Sequence, residues 1–185
     1  MKRMLTLVAY LLPGWALSAA HAAPPVGESA GAVSEPEGSI SIAALLGYGF
    51  GGDLGRGDDN VFGVGYGLAA GYVFPSNVYL GSTLLRYKGP ANEEYQIDTF
   101  TLDVELGYEF GAGSFALRPS LGLGALAVIF QGESGGNSAL RPQLVPSLLA
   151  QYSLGIVRVG AEARYALVMS YPDVLSLLGS VGVAF

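Results

Sequence analysis

From residue 39 onward, apolar side chains recur at every second position, and clusters of turn-forming residues interrupt the pattern. A period of two is that of a β-strand, whose successive side chains point to opposite faces. "SISIAALLGYGF" (39–50) sets Ile40, Ile42, Ala44, Leu46, Tyr48 and Phe50 against Ser39, Ser41, Ala43, Leu45, Gly47 and Gly49. "VFGVGYGLAAGYVF" (61–74) sets Phe62, Val64, Tyr66, Leu68, Ala70, Tyr72 and Phe74 against a face that is mostly glycine. "VYLGSTLLRYK" (78–88) is less regular; its charges suggest Tyr79, Thr83, Leu85 and Tyr87 on the apolar face, opposed by Ser82, Arg86 and Lys88. "TFTLDVELGYEF" (99–110) alternates Phe100, Leu102, Val104, Leu106, Tyr108 and Phe110 with Thr101, Asp103, Glu105, Gly107 and Glu109. The same alternation runs through 115–130, 140–154, 157–169 and 174–185, with Arg118, Arg141, Gln143, Gln151, Arg158, Glu162 and Arg164 on the polar faces.

The pattern thus predicts eight strands and no helix after residue 39. Their connections alternate in length. "PSN", "GAGS" and "GI" are short, whereas "GGDLGRGDDN", "GPANEEYQID", "QGESGGNSA" and "SYPD" are longer or more polar. An even number of antiparallel strands, each long enough to cross a bilayer when tilted, with short turns at one end and polar loops at the other, predicts an all-β, eight-stranded antiparallel up-and-down transmembrane β-barrel.

Composition strengthens this reading. Apolar residues make up 51% of the 185 residues and charged residues only 13%, about half the charge of a soluble domain. Mean hydropathy is +0.44. Outside the extreme N-terminus no stretch has the ~20 consecutive apolar residues of a spanning helix. A chain this apolar without such helices is left with a closed barrel, because lipid offers no partner to an unpaired backbone group.

The first residues, "MKRMLTLVAYLLPGWALSAAHAAPP", have the layout of a secretory signal. Lys2 and Arg3 precede an apolar run, and Ala20-His21-Ala22 is a small-x-small cleavage site. Three divisions are expected: a cleaved signal peptide (1–22), a flexible periplasmic tail (23–38) rich in Pro, Gly, Ala and Glu, and the barrel (39–185). Cleavage removes His21, the only histidine. With Lys2 and Arg3 also gone, seven basic residues face fifteen acidic ones, and the net charge moves from −6 to −8. An acidic chain with no basic stripe is not expected to bind nucleic acid. There is no cysteine, so disulfides and thiolate sites are absent.

The soluble rival is an eight-stranded barrel with its apolar face turned inward. Its outer surface would then be mainly Gly, Ala and Ser, poor material for a solvated face but good filling for a crowded lumen. With the apolar face outward, the lumen is just wide enough for side chains to fill. Asp103, Glu105, Glu109 and Glu162 are then expected to pair inside with Arg86, Lys88, Arg118, Arg141, Arg158 and Arg164, since unpaired buried charge is costly. Aromatic residues at strand ends suit two interfacial girdles. Tyr72, Phe74, Tyr79, Tyr108, Phe110, Phe115 and Tyr152 are expected at the short-turn end, and Tyr48, Tyr87 and Tyr165, with Phe62, toward the loops.

Residues 39–185, with this alternation, these belts and the final "GSVGVAF", resemble the small eight-stranded outer-membrane barrels: OmpA- and OmpX-like proteins and their opacity-type, porin-like relatives. The resemblance implies residence in the outer membrane of a Gram-negative bacterium, contact with outer-membrane lipid and lipopolysaccharide, and recognition by the outer-membrane assembly machinery through Val181, Val183 and Phe185. Enzymes of this size class that act on lipid A rely on a histidine, which the mature chain lacks. No catalytic residue, cofactor or metal is therefore expected. Asp58-Asp59-Asn60 and Glu93-Glu94 lack the spacing of a calcium loop and read as hydrophilic loops. The expected role is non-enzymatic, structural or interactive, with a lumen plugged by side chains; a narrow channel or a small-ligand barrel is the alternative.

Overall fold

The computed structural model describes residues 38–51, 62–91, 95–132, 137–170 and 172–185. The expected signal peptide and almost all of the tail lie outside these residues, as do Asp58-Asp59-Asn60 and Glu93-Glu94.

Among the described residues nine strands follow one another: β1 (Ser39–Gly51), β2 (Gly63–Val73), β3 (Val78–Ala91), β4 (Tyr95–Tyr108), β5 (Phe110–Ala112), β6 (Phe115–Gly132), β7 (Asn137–Leu154), β8 (Val157–Val168) and β9 (Val174–Ala184). β4 and β5 are one wall with a break at Glu109. Gly107 opposite Ser120 and Phe110 opposite Leu117 keep the same register along β6. With β4 and β5 counted as one, every strand pairs antiparallel with its neighbour in sequence, and β1 pairs with β9, so the wall closes as an eight-stranded barrel. The seam is continued by Phe185, whose N–H donates to the Ile40 carbonyl at 3.0 Å while the Ile40 N–H donates to the Phe185 carbonyl at 2.9 Å. Closure leaves no sheet edge, which is what a lipid-embedded sheet requires.

Alternation translates directly into facing. Leu45 is 4% exposed and Leu46 63%; Glu105 is 3% exposed and Leu106 60%. The aliphatic surface is outside and most of the described ionic side chains are inside, which disposes of the soluble rival. Tight turns close the short end. Gly155, with φ 65°, supports a two-residue turn between β7 and β8, and Gly113, with φ 62°, does the same between β5 and β6.

The strands run further than the apolar pattern. β3 and β4 take in most of the expected 89–98 loop, and β6 and β7 most of the 131–139 loop. Backbone pairing does not need apolar side chains once the wall has left the hydrocarbon, so the ladder outlasts the alternation that revealed it.

The expected facing of β3, including Thr83 and Leu85, and that of Phe62 are reversed. Tyr79 and Tyr87 are 1% and 3% exposed and lie in the lumen, while Arg86 and Lys88 take the outer face of β3. The β2–β3 register puts Tyr79 opposite Val73 and Tyr87 opposite Gly65, so odd-numbered residues of β3 share a face with the inward glycines of β2. Those glycines leave the space. The Tyr79 ring lies where side chains at Gly71 and Gly81 would stand, and the Tyr87 ring where one at Gly65 would. Phe62 is also inside, 0% exposed. Gly63, at φ 75°, breaks the alternation at the first residue of β2 and turns the ring inward.

Candidate functional site

The lumen holds the chain's concentrated polar chemistry, in two layers. At mid-height Arg164, from β8, is 3% exposed and meets three carboxylates. Its Nη2 lies 3.1 Å from Asp103 Oδ2, and its Nη1 lies 2.7 Å from Glu105 Oε1 and 2.9 Å from Glu162 Oε1. Arg164 and Glu162 sit two positions apart on one strand, and Asp103 and Glu105 two apart on another; period two brings all four to the inner face. Neutral donors complete the cluster. Gln143 Nε2 donates to Asp103 Oδ1 at 2.7 Å, and the Thr83 hydroxyl donates to Glu105 Oε1 at 2.6 Å. The Ser120 hydroxyl donates to Glu105 Oε2 at 3.4 Å.

Nearer the short turns, Glu109 lies between two cations, 3.5 Å from Arg118 and 3.6 Å from Arg158, and accepts from Gln151 Nε2 at 2.9 Å. The Arg118 guanidinium stacks 3.6 Å from the centre of the Tyr79 ring. Burial of Tyr79 therefore supplies a π-face to a cation that has little water around it. A cavity of about 30 Å³ lies beside Tyr79, Arg118 and Arg158.

Toward the loops the lumen becomes apolar. Leu45, Phe62, Leu85, Leu126, Val128 and Leu178 form a buried cluster, and Phe62 meets Tyr87 edge-on at 5.6 Å between centroids. Tyr87 and Ser176 share a hydrogen bond of 2.8 Å between their hydroxyls. Where the layers meet, a cavity of about 10 Å³ is bounded by Phe62, Thr101, Asp103, Gln143 and Arg164. Thr101 Oγ1 and Gln143 Oε1 are buried there without a protein hydrogen-bond partner. That space and those acceptors suit one ordered water.

Seven of the ten charged residues expected in the lumen thus come together: Asp103, Glu105, Glu109, Arg118, Arg158, Glu162 and Arg164; Lys88 faces outward on β3 and Arg141 is exposed. Arg86 does not join them either. It lies on the outer wall, where Nη2 and Nε pair with Asp98 at 3.0 and 3.3 Å and the guanidinium sits 5.3 Å from the Phe100 ring centre. The partners that sequence reasoning left out, Thr83, Ser120, Gln143 and Gln151, are uncharged. Gln143 and Gln151 share the polar face of their segment with Arg141, a signal that parity alone carried.

Of the expected girdle residues, Tyr48, Phe74, Tyr108, Phe110, Phe115 and Tyr152 are exposed on the outer wall, and Tyr72 and Tyr165 are half-buried there. Several meet as ring pairs: Tyr72 with Phe74 and Tyr108 with Phe110, both at 4.8 Å, and Tyr48 with Phe50 at 4.9 Å. Tyr165 donates to Asp173 Oδ2 at 3.0 Å. Val181, Val183 and Phe185 face outward along the closing strand.

No family model and no curated protein matches the sequence. Solved structures do match in fold. Neisserial surface protein A superposes with a TM-score of 0.63 at 15% identity, over 80% of this chain and 97% of that one. Ail, the attachment invasion locus protein of Yersinia pestis, gives 0.61 at 19%, over 82% of this chain and all of that one. The N-terminal β-barrel domain of Pseudomonas aeruginosa OprF gives 0.55 at 16%, over 80% and 98%. The chain has the fold of the small eight-stranded outer-membrane barrels.

Proposed function

We propose that this chain is a non-enzymatic barrel of a Gram-negative outer membrane, with a structural or interaction role in the envelope and a lumen closed by its own side chains. The observation that carries the reading is the saturation of Arg164 by Asp103, Glu105 and Glu162 beneath an apolar layer. Each of these carboxylates accepts from the same guanidinium, and Gln143, Thr83 and Ser120 take further lone pairs. Carboxylates held in this way are counter-ions rather than an acid–base pair waiting for substrate. The apolar cluster above them blocks the continuous polar path that conduction needs. In the same reading residues 1–22 are an export signal, 23–38 a periplasmic tail, and Val181, Val183 and Phe185 the surface read by the assembly machinery.

Conductance across a planar bilayer tests the closed lumen. The wild-type chain is expected to show no steady single-channel current. A stable current would overturn the plug and favour the narrow-channel reading. Fractionation of expressing cells, with a gel run before and after boiling, tests the membrane placement.

A further inference from the structure

Among residues whose side chains are described, charged side chains at outward strand positions form one cluster: Arg86 and Lys88 on β3 and Asp98 on β4. Their described outward neighbours Val64, Tyr66, Leu84, Phe100 and Leu102 are apolar or aromatic. Arg86 lies directly between Tyr66 on β2 and Phe100 on β4, and Lys88 between Val64 and Asp98. Below them on the same face come Leu84 and Leu102, 49% and 57% exposed. The cluster therefore sits where the lipid-facing aliphatic wall ends on the loop side.

Charge on a lipid-facing wall is tolerated at the interface and penalised at mid-bilayer. Asp98 offsets one of the two cations, through Nε and Nη2 of Arg86, and the trio keeps a net positive charge. The Arg86 side chain remains 35% exposed, against 7% for Asp98, so the cation and not the carboxylate is presented outward. The Phe100 ring beneath the guanidinium holds it in place. A planar, oriented guanidinium beside an exposed ammonium suits a phosphate oxygen set.

We infer that Arg86 and Lys88 form a binding site on the outer wall for the phosphate headgroup of an anionic membrane lipid, whose acyl chains lie along Leu84 and Leu102. The inference rests on the proposed membrane placement. Continuity of the basic pair with the aliphatic wall favours a lipid over a free anion, since a single molecule with a phosphate and acyl chains covers both.

The protein is refolded in phosphatidylcholine vesicles, and the association of spin-labelled phosphatidic acid is compared with that of spin-labelled phosphatidylcholine. The expected preference for phosphatidic acid is about fivefold at low salt. The double variant Arg86→Gln, Lys88→Gln is expected to abolish it, and Asp98→Asn to increase it. No preference in the wild type, or an unchanged one in the double variant, overturns the site. Loss of the preference with inorganic phosphate but not with sodium chloride of equal ionic strength means a free-anion site, and overturns the lipid assignment. If the double variant fails to show the boiling-dependent gel shift of a folded barrel, Asp98→Asn decides: an unchanged preference there is equally fatal. A wild-type chain that neither shifts on boiling nor enters vesicles removes the membrane reading, and this site with it.

Discussion

The two halves of the lumen solve one packing problem with opposite materials. The short-turn half is ionic: Arg164, Arg118 and Arg158 are interleaved with Asp103, Glu105, Glu162 and Glu109. The loop half is a small hydrophobic core of Leu45, Phe62, Leu85, Leu126, Val128 and their neighbours. The apolar half is stabilised by contact alone, and each residue lost leaves a hole of its own size. In the ionic half the members depend on one another, because each group removed leaves its partners buried and unpaired. In the proposed closed lumen the apolar half also shields the ionic half from water on the loop side, which makes that dependence sharper.

Substitutions that separate the halves follow from this contrast. Arg164→Met is expected to have the largest effect, a loss of ~4 kcal/mol, because it strands three carboxylates. Reversible urea unfolding from vesicles would measure it. Adding Asp103→Asn, Glu105→Gln and Glu162→Gln to that variant should restore most of the loss, since the uncompensated charge goes with its partner. A quadruple variant no more stable than the single one would contradict the mutual-dependence account.

In the apolar half Leu126→Ala should cost ~3 kcal/mol in the same assay, and no second substitution among the charged residues should rescue it. Next comes the residue that joins aromatic packing to the ionic layer. Tyr79→Leu removes the face under Arg118 and is expected to cost ~2 kcal/mol, while Tyr79→Phe keeps the ring and should cost clearly less. Equal losses for the two would show that the hydroxyl, not the π-face, carries the contact. The smallest effect belongs to the outer wall. Leu106→Ala, 60% exposed toward lipid, should cost only ~1 kcal/mol, because lipid chains fill the space that a core would leave empty.

Much of the fold was legible because alternation is local. Eight walls, the closing pair of β1 with β9 and the inward facing of Asp103, Glu105, Glu162 and Arg164 all follow from counting by twos along single strands. The ionic half of the lumen was legible for the same reason, since charge on one face of a strongly amphipathic strand such as β4 has only one tolerable direction. The apolar half was not. Leu126, Val128 and Leu178 lie inside although leucine and valine also cover the outside, and a strand apolar on both faces carries no marker of which is inner.

β3 shows where local reading ends. Its two faces, Tyr79-Gly81-Thr83-Leu85-Tyr87 and Leu80-Ser82-Leu84-Arg86-Lys88, are similar in polarity, and the charges alone point to the wrong one as inward. Its facing is set by the turn at Pro75-Ser76-Asn77, where Asn77 takes φ 63° and donates its N–H to the Phe74 carbonyl at 2.8 Å. That turn places β3 odd positions beside the glycines of β2, and one residue of slip would have exchanged the faces. Within each strand the chain by itself determined which residues share a face, because that depends only on the pleat. Which face of a mixed strand meets the lumen was decided by cross-strand register and by the holes that glycine leaves, quantities that exist only once the wall has closed.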